Sequence, residues 1–468
     1  MCGSVLRPSR WLAAVACAWF ALALRAEPSA VDSANAGTEQ EFQAAMAAQD
    51  KGDLDRAETL LRDLHAHHPG IFAVDESLGL LLASRENYLA ATPFLEAAVG
   101  EQPSSDAAHA NLGAAYFQLH RNPQALSEFE IAARLNPHNP ATQESLGRLW
   151  MEAHEPKRAA DAFAAALALK PGDADLTLDR AQALEDAGQL ADAKELAAGI
   201  PNADSSAQAQ SLLGDIDEKS GVFKQAVEAY QRAAALDPSE PNVWALGLEF
   251  LRHWTFDGAI PEFEVGVARF PASARMRLGL GVAYFGNADY VDAIPIFADL
   301  LDANPGNGFY SQLLGMACTA IMEGPRQRCS SLVTYAQAHP RDAQGAVYAV
   351  AGILRGQASE EQMQLAETLL RNAIAADPKL AEARYQRGLL AQDRGNWAGS
   401  ISDLEMAVKE KPELATAHYR LGLAYAHTGR KQEAQVQMQL SEKYKDEQQK
   451  DLDRRLGLVT LFLIKGRK

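Results

Sequence analysis

Apolar residues recur with a helical period through the stretch Asp106–Asn139. Leu112 and Tyr116 stand four residues apart, and so do Ala125 and Phe129, with a polar break between the two pairs. Residues four apart lie on one face of an α-helix, so each half of the stretch predicts an amphipathic helix. A glycine after Leu112 and the small Ala125 favour close approach of the two backbones. We therefore expect a helical hairpin here.

The same pattern recurs along most of the chain, at a period of about 34 residues. Each copy has a small residue in its first helix, another in its second, and a proline that ends the second helix. The closing prolines are Pro69, Pro103, Pro137, Pro171, Pro238, Pro271, Pro305, Pro340, Pro378 and Pro412. Such a repetition indicates an array in which each unit packs only on its neighbours.

These units resemble the tetratricopeptide repeat, a helix–turn–helix unit of about 34 residues. The resemblance covers residues 38–448, or about twelve repeats by the same period. It implies an all-α fold: a right-handed superhelical solenoid of helix–turn–helix repeats, ended by a capping helix. Irregular spacing predicts breaks near 200–206, 322–328 and 356–362.

The N-terminal segment has the pattern of an export signal. Arg7 and Arg10 precede the apolar run Trp11–Leu24, and small residues follow near Ala26. The run is short for a membrane span, which needs about 20 residues. We expect a signal peptide over 1–26, a flexible linker over 27–37 and a location in the bacterial periplasm. An uncleaved N-terminal membrane anchor is the alternative.

Residues 449–468 predict a C-terminal helix with more than one apolar face. One stripe suits a cap on the last repeat, because terminal units of an array must cover an exposed flank. Further apolar residues lie beside that stripe, and they predict a possible docking helix that contacts a partner or a membrane complex: Leu458, Leu461, Phe462 and Ile464.

Two cysteines within one irregular unit predict a disulfide. Cys318 falls late in a first helix and Cys329 early in the following one, so the two positions face each other in a hairpin. An exported protein would meet an oxidising compartment, where such a pair closes. We expect their Cα atoms within about 7 Å. Two buried free thiols are the alternative.

The resemblance also implies a binding groove lined by first helices. Its groove positions are acidic in the fourth to sixth units, where they include Glu144, Asp175, Glu185, Asp215 and Glu218. In later units they are apolar or aromatic, and these are the predicted partner-binding residues: Trp244, Leu248, Leu251, Leu278, Val282, Phe285, Phe309, Met316, Tyr348, Tyr385 and Tyr419. An aromatic groove suits a peptide or a helix. Alternatively, the tyrosines only pack between neighbouring repeats.

The sequence contains no pattern that predicts catalysis, and we expect no enzyme activity, no cofactor and no metal site. His65, His67 and His68 form one histidine cluster, but histidines near a helix C-terminus are favoured by the helix dipole alone. A net charge of −17 argues against nucleic-acid binding.

The function predicted from sequence is therefore a scaffold that binds a peptide or partner protein in its groove. The alternative is an accessory subunit of an envelope export or polysaccharide-assembly machine, which docks through its last helix. The sequence leaves the partner and the oligomeric state open.

Overall fold

A computed structural model describes residues 36–320, 327–354 and 358–447. This described part is built from α-helices and two short 3-10 helices, with no β-strand among its residues. The chain divides into two compact units, Met1–Ala203 and Asp204–Lys468. No described helix is long and apolar enough to cross a membrane.

The first unit contains helices α1 to α10. Their bounds are α1 Ala36–Asp50, α2 Leu54–His67, α3 Phe72–Ser84, α4 Tyr88–Glu101, α5 Asp106–Gln118, α6 Asn122–Leu135, α7 Pro140–Glu152, α8 Pro156–Leu169, α9 Ala174–Asp186 and α10 Leu190–Ala198.

The second unit contains α11 to α23, and residues 431–447 are also helical. The bounds are α11 Ala207–Lys219, α12 Phe223–Leu236, α13 Glu240–Arg252, α14 Phe256–Arg269, α15 Ala274–Gly286, α16 Tyr290–Ala303, α17 Gly308–Ala320, α18 Ser331–Ala338, α19 Ala343–Leu354, α20 Glu360–Ala376, α21 Ala381–Asp393, α22 Trp397–Glu410 and α23 Ala415–His427.

Within each unit, odd-numbered helices are the first helices of hairpins and even-numbered helices are the second. In five hairpins a glycine of the first helix lies against a buried aromatic ring of the second: Gly113, Gly147, Gly214, Gly247 and Gly281. A Cβ added at Gly113 would lie 3.0 Å from the Phe129 ring, and one at Gly247 would lie 2.6 Å from the Phe263 ring. Because protein interiors leave no room for an extra methyl group at such distances, these positions must stay small.

In the hairpins whose turns the structure describes, the turn contains a residue with a positive φ, the left-handed backbone conformation. In several turns this residue is glycine, as at Gly188 (φ 76°) and Gly395 (φ 75°), where the conformation costs little. Other turns place a side chain there, including His120 (φ 55°) and Trp254 (φ 59°). The same turn geometry is therefore kept by different residues from one hairpin to the next.

The three irregular places have distinct local structures. At 200–206 a 3-10 turn, Ala203–Ser205, follows the short helix α10, and the division between the two units falls there. Near 322–328 the 3-10 helix Gln327–Ser330 leads into the short helix α18. Near 356–362 a capping box between Ser359 and Gln362 begins the long helix α20.

The two ends of the chain carry predictions that lie outside the described residues. These are the signal peptide over 1–26, most of the linker over 27–37 and the C-terminal helix over 449–468. Helix α1 begins at Ala36, inside the segment predicted as linker. Alanine, glutamine and glutamate, which favour helices, dominate the sequence that follows.

Candidate functional site

The predicted partner-binding residues all lie on first helices of the second unit. Helix α13 carries Trp244, Leu248 and Leu251; α15 carries Leu278, Val282 and Phe285; α17 carries Phe309 and Met316; α19, α21 and α23 carry Tyr348, Tyr385 and Tyr419. They are half-buried, except Phe309 and Tyr419, whose side chains are 53% and 48% exposed. We call the eight residues on α13, α15 and α17 the apolar face.

Part of this set is engaged in packing within the chain. The Trp244 ring lies 5.5 Å from the Phe263 ring, and the Arg275 guanidinium lies 5.1 Å from the Trp244 ring. The Phe285 ring meets Tyr290 edge-on at 5.5 Å. These aromatic groups therefore support the fold as well as shaping the surface.

Tyr348 has a packing role that the sequence left open. Its ring lies over Gly315 of α17, so closely that a Cβ at Gly315 would overlap it. Burial raises the pKa of Tyr348 above its ordinary value. The packing interpretation of the tyrosines therefore describes Tyr348, whereas Tyr419 is largely exposed.

The acidic groove positions are largely paired or buried. Glu144 forms an ion pair with Arg148 one turn away on α7, and Lys170 Nζ lies 4.0 Å from its carboxylate. Asp215 accepts a hydrogen bond of 2.6 Å from the Tyr230 hydroxyl, and Glu185 is buried. Sequence reasoning missed Asp179 on α9, whose burial raises its pKa to about 7.

Three side chains that the sequence did not bring together meet in the second unit. Glu218 on α11, Glu249 on α13 and His253, the residue that ends α13, have ligand atoms that all lie within 4.8 Å of one another. We call them the Glu249 cluster. Burial and the neighbouring Glu218 carboxyl raise the pKa of Glu249 to about 8. The i, i+4 spacing of Glu249 and His253 was the available signal, because it places both on one helix face.

A second histidine group lies in the first unit. His65 Nδ1 lies 2.5 Å from Asp75 Oδ1 of α3, and Asp75 is buried. Glu101 shares a hydrogen bond with Asp75, and burial together with that neighbour raises the pKa of Glu101 to about 7. We call His65, Asp75 and Glu101 the His65 cluster. His67 instead lies 2.8 Å from the Asp63 carbonyl, so the adjacent histidines do not converge.

Cys318 and Cys329 are joined by a disulfide in this structure. Their Cα atoms are 6.1 Å apart, and both side chains are buried. Arg328, directly before Cys329, pairs with Asp299 and Asp302 of α16. The bond and these ion pairs hold the 3-10 segment against its neighbours.

The docking-helix residues Leu458, Leu461, Phe462 and Ile464 lie outside the described residues.

Successive hairpins are linked by a repeated hydrogen bond that the sequence did not reveal. A tyrosine of a first helix donates to a glutamate of the preceding second helix, twenty residues earlier. The pairs are Tyr116 with Glu96, Tyr284 with Glu264, and Tyr425 with Glu405, at 2.6, 2.6 and 2.7 Å. A Tyr–Glu spacing of twenty residues is the sequence signal for this link.

Models of the tetratricopeptide repeat match the chain over residues 42–108, 110–174, 245–308, 360–414 and 385–437, and over 150–216. The protein belongs to the tetratricopeptide repeat family. Its all-α solenoid of helical hairpins is the architecture that the sequence predicted. No curated protein matches the chain.

Several solved structures resemble the chain at low identity. A Naa15/Naa10 complex bound to HypK-THB has a TM-score of 0.38 and 14% identity, covering 86% of this chain and 68% of its own. YrrB, described as a TPR protein with an unusual peptide-binding site, has a TM-score of 0.37 and 21% identity, covering 40% and 95%. The Cut9–Hcn1 assembly of the APC/C has a TM-score of 0.33 and 13% identity, covering 87% of each chain.

Proposed function

We propose that this protein is a non-catalytic scaffold that binds an extended peptide or a helix of a partner protein on the apolar face. The observation that carries this proposal is the partly exposed apolar surface of three successive first helices. At corresponding positions of α13, α15 and α17, apolar side chains are only partly covered by the chain itself. Such partly exposed apolar and aromatic groups gain free energy when a partner covers them.

The repeat architecture supports the same function. Packing within each hairpin depends on the small residues and the buried rings, as at Gly247 and Phe263. Some residues of the apolar face, such as Trp244, also take part in packing, but the exposed ring of Phe309 is not needed for it. This position can therefore carry a recognition surface without a loss of fold.

The exposed ring of Phe309 offers the sharpest test. We expect that Phe309→Ser weakens capture of partner proteins from a lysate of the native host by at least about tenfold, because a large ring at an interface centre contributes about 2 kcal/mol. Leu248→Ser should act in the same direction. Cross-linking followed by mass spectrometry should place the captured chain next to α13, α15 and α17.

Val265→Ser is the matched control, because Val265 is equally exposed but lies on the second helix α14. It should leave capture unchanged. Equal loss from Phe309→Ser and Val265→Ser would show general hydrophobic adhesion and would overturn the proposal, and so would unchanged capture by both first-helix variants.

We also propose that the protein works outside the cytoplasm, in an oxidising compartment. The basic and apolar N-terminal pattern and the Cys318–Cys329 geometry support this location. Mass spectrometry of the protein from its host should find an N-terminus near residue 27 and a bond between the two cysteines. An intact N-terminus together with two free thiols would contradict the proposal.

A further inference from the structure

The Glu249 cluster gathers three metal-ligating groups from two successive hairpins. Glu249 and His253 stand one turn apart at the C-terminal end of α13, and Glu218 stands in the last turn of α11. In the described part of the chain, this is the group of three histidine, cysteine or acidic side chains whose ligand atoms converge within 4.8 Å.

The distances suit a single ion. His253 Nε2 lies 3.0 Å from Glu218 Oε2 and 3.3 Å from Glu249 Oε1. Ligands about 2.1 Å from a tetrahedral ion stand about 3.4 Å from one another. The two separations from His253 are therefore close to those around a four-coordinate metal, and the third pair of ligand atoms lies within 4.8 Å.

Glu249 gives a second and independent indication. Its side chain is 0% exposed, and neither carboxylate oxygen receives a hydrogen bond from the protein. The nearest cationic group on its own helix, the Arg252 guanidinium, is half exposed and 3.8 Å away. A buried carboxylate is normally hydrogen-bonded, paired or bound to a metal. Here both oxygens lack a donor and face the histidine and a second carboxyl group.

The charge of the cluster points in the same direction. Glu218 and Glu249 bring two carboxyl groups together, and the neighbouring Asp215 on α11 also opposes ionisation of Glu249. A divalent cation bound by two carboxylates and a neutral imidazole gives a complex with no net charge. Because burying like charges together is costly, such a cation would offset the repulsion that arises when both carboxyl groups are ionised.

We propose that Glu218, Glu249 and His253 bind one divalent transition-metal ion of the zinc type and so join α11 to α13. An imidazole with two carboxylates suits zinc, cobalt or manganese, whereas calcium and magnesium prefer oxygen ligands alone and copper(I) prefers sulfur. Three protein ligands leave a fourth position for water, as in open zinc sites. The ion would act as a cross-link between two hairpins beside the apolar face.

Metal titration of the purified, chelator-treated protein tests this proposal. We expect calorimetry with Zn²⁺ to show one site per chain. The temperature of thermal unfolding should rise when Zn²⁺ is added. Co²⁺ should give visible absorption bands of a low-symmetry site. Glu249→Gln and His253→Asn should each weaken Zn²⁺ binding by at least about 100-fold, since even the loss of supporting groups around a metal costs 10- to 100-fold.

The matched control for the histidine is His427→Asn, because His427 also ends a first helix but stacks on Trp397 instead of facing carboxylates. It should bind Zn²⁺ as the unmodified protein does. Circular dichroism must show that each variant is folded, and Glu218→Gln provides a more exposed third ligand substitution. The proposal is overturned if no saturable site is found, or if Glu249→Gln binds normally while a double variant of His67 and His68 loses the ion.

Discussion

Each compact unit contains one histidine grouped with two carboxyl groups, yet the two groups differ in what their atoms face. In the His65 cluster, Asp75 already has a partner in His65, at 2.5 Å, and Glu101 shares a proton with it. In the Glu249 cluster, the histidine faces both carboxyl groups and the buried Glu249 oxygens lack a hydrogen-bond donor. The first group leaves one oxygen of Glu101 without a hydrogen-bond partner, whereas the second leaves both oxygens of the fully buried Glu249 without one.

This difference shows that histidine density in a sequence is a poor guide to a site. The run His65–His68 is the histidine cluster of the sequence, and the side chains of His65 and His67 have different partners. Glu249 and His253 looked like ordinary helix residues. The Glu249 cluster is distinguished by a buried carboxylate whose two oxygens both lack a hydrogen-bond donor, beside ligand atoms from a second helix.

The largest effect is expected from Asp75→Ala. It leaves His65 and the half-buried Glu101 without the buried Asp75 carboxyl, so we expect the first unit to lose about 2–3 kcal/mol of stability. Urea unfolding followed by circular dichroism measures this loss. The exposed Asp63→Ala should stay within about 0.5 kcal/mol of the parent. Equal behaviour of the two variants would show that the His65 cluster contributes nothing.

In the absence of metal, Glu249→Gln should not reduce stability, in contrast to Asp75→Ala. Removing an unsatisfied buried carboxyl group leaves stability unchanged or raises it by up to about 1 kcal/mol, because no favourable pair is lost. Urea unfolding in the presence of a chelator checks this result. A loss as large as that of Asp75→Ala would mean that both clusters are structural ion pairs.

The His65 cluster should also make the stability of the first unit depend on pH, and Glu101→Gln should remove this dependence. The folded-state pKa of Glu101 is about 7, above its ordinary value of 4.5, because of burial and the Asp75 carboxyl. Its contribution to stability is therefore complete below pH 4.5 and is lost as the pH rises to 7. The temperature of thermal unfolding should fall more steeply between pH 4.5 and 7 in the parent than in Glu101→Gln. Asp75 neighbours position 101 in both proteins, so the difference isolates the Glu101 carboxyl.

The smallest effect is expected from changing His67 and His68 to glutamine. His67 is exposed, and neither residue belongs to a converging group, so stability should change by less than about 0.5 kcal/mol. Zn²⁺ affinity, measured by calorimetry, should also be unchanged. A clear loss of affinity would move the metal site to the first unit and reverse the comparison.

The sequence alone was sufficient for the repeat and its packing rule. The period of small residues and prolines predicted helical hairpins, and pairs such as Gly113 with Phe129 meet as that period requires. Such contacts are local, because each glycine and its ring belong to the same hairpin. The family and the all-α architecture followed for the same reason.

Only the tertiary structure decided which groups meet between hairpins. The repeat assigned Glu218 to a groove position, but nothing in its period indicated that Glu249 and His253 of the next hairpin would meet it. The exposure of Phe309 and the covering of Gly315 by Tyr348 likewise depend on the neighbouring first helix. A repeat period specifies how a hairpin folds. The packing of one hairpin on the next determines which of its side chains are paired, buried or left open to a ligand.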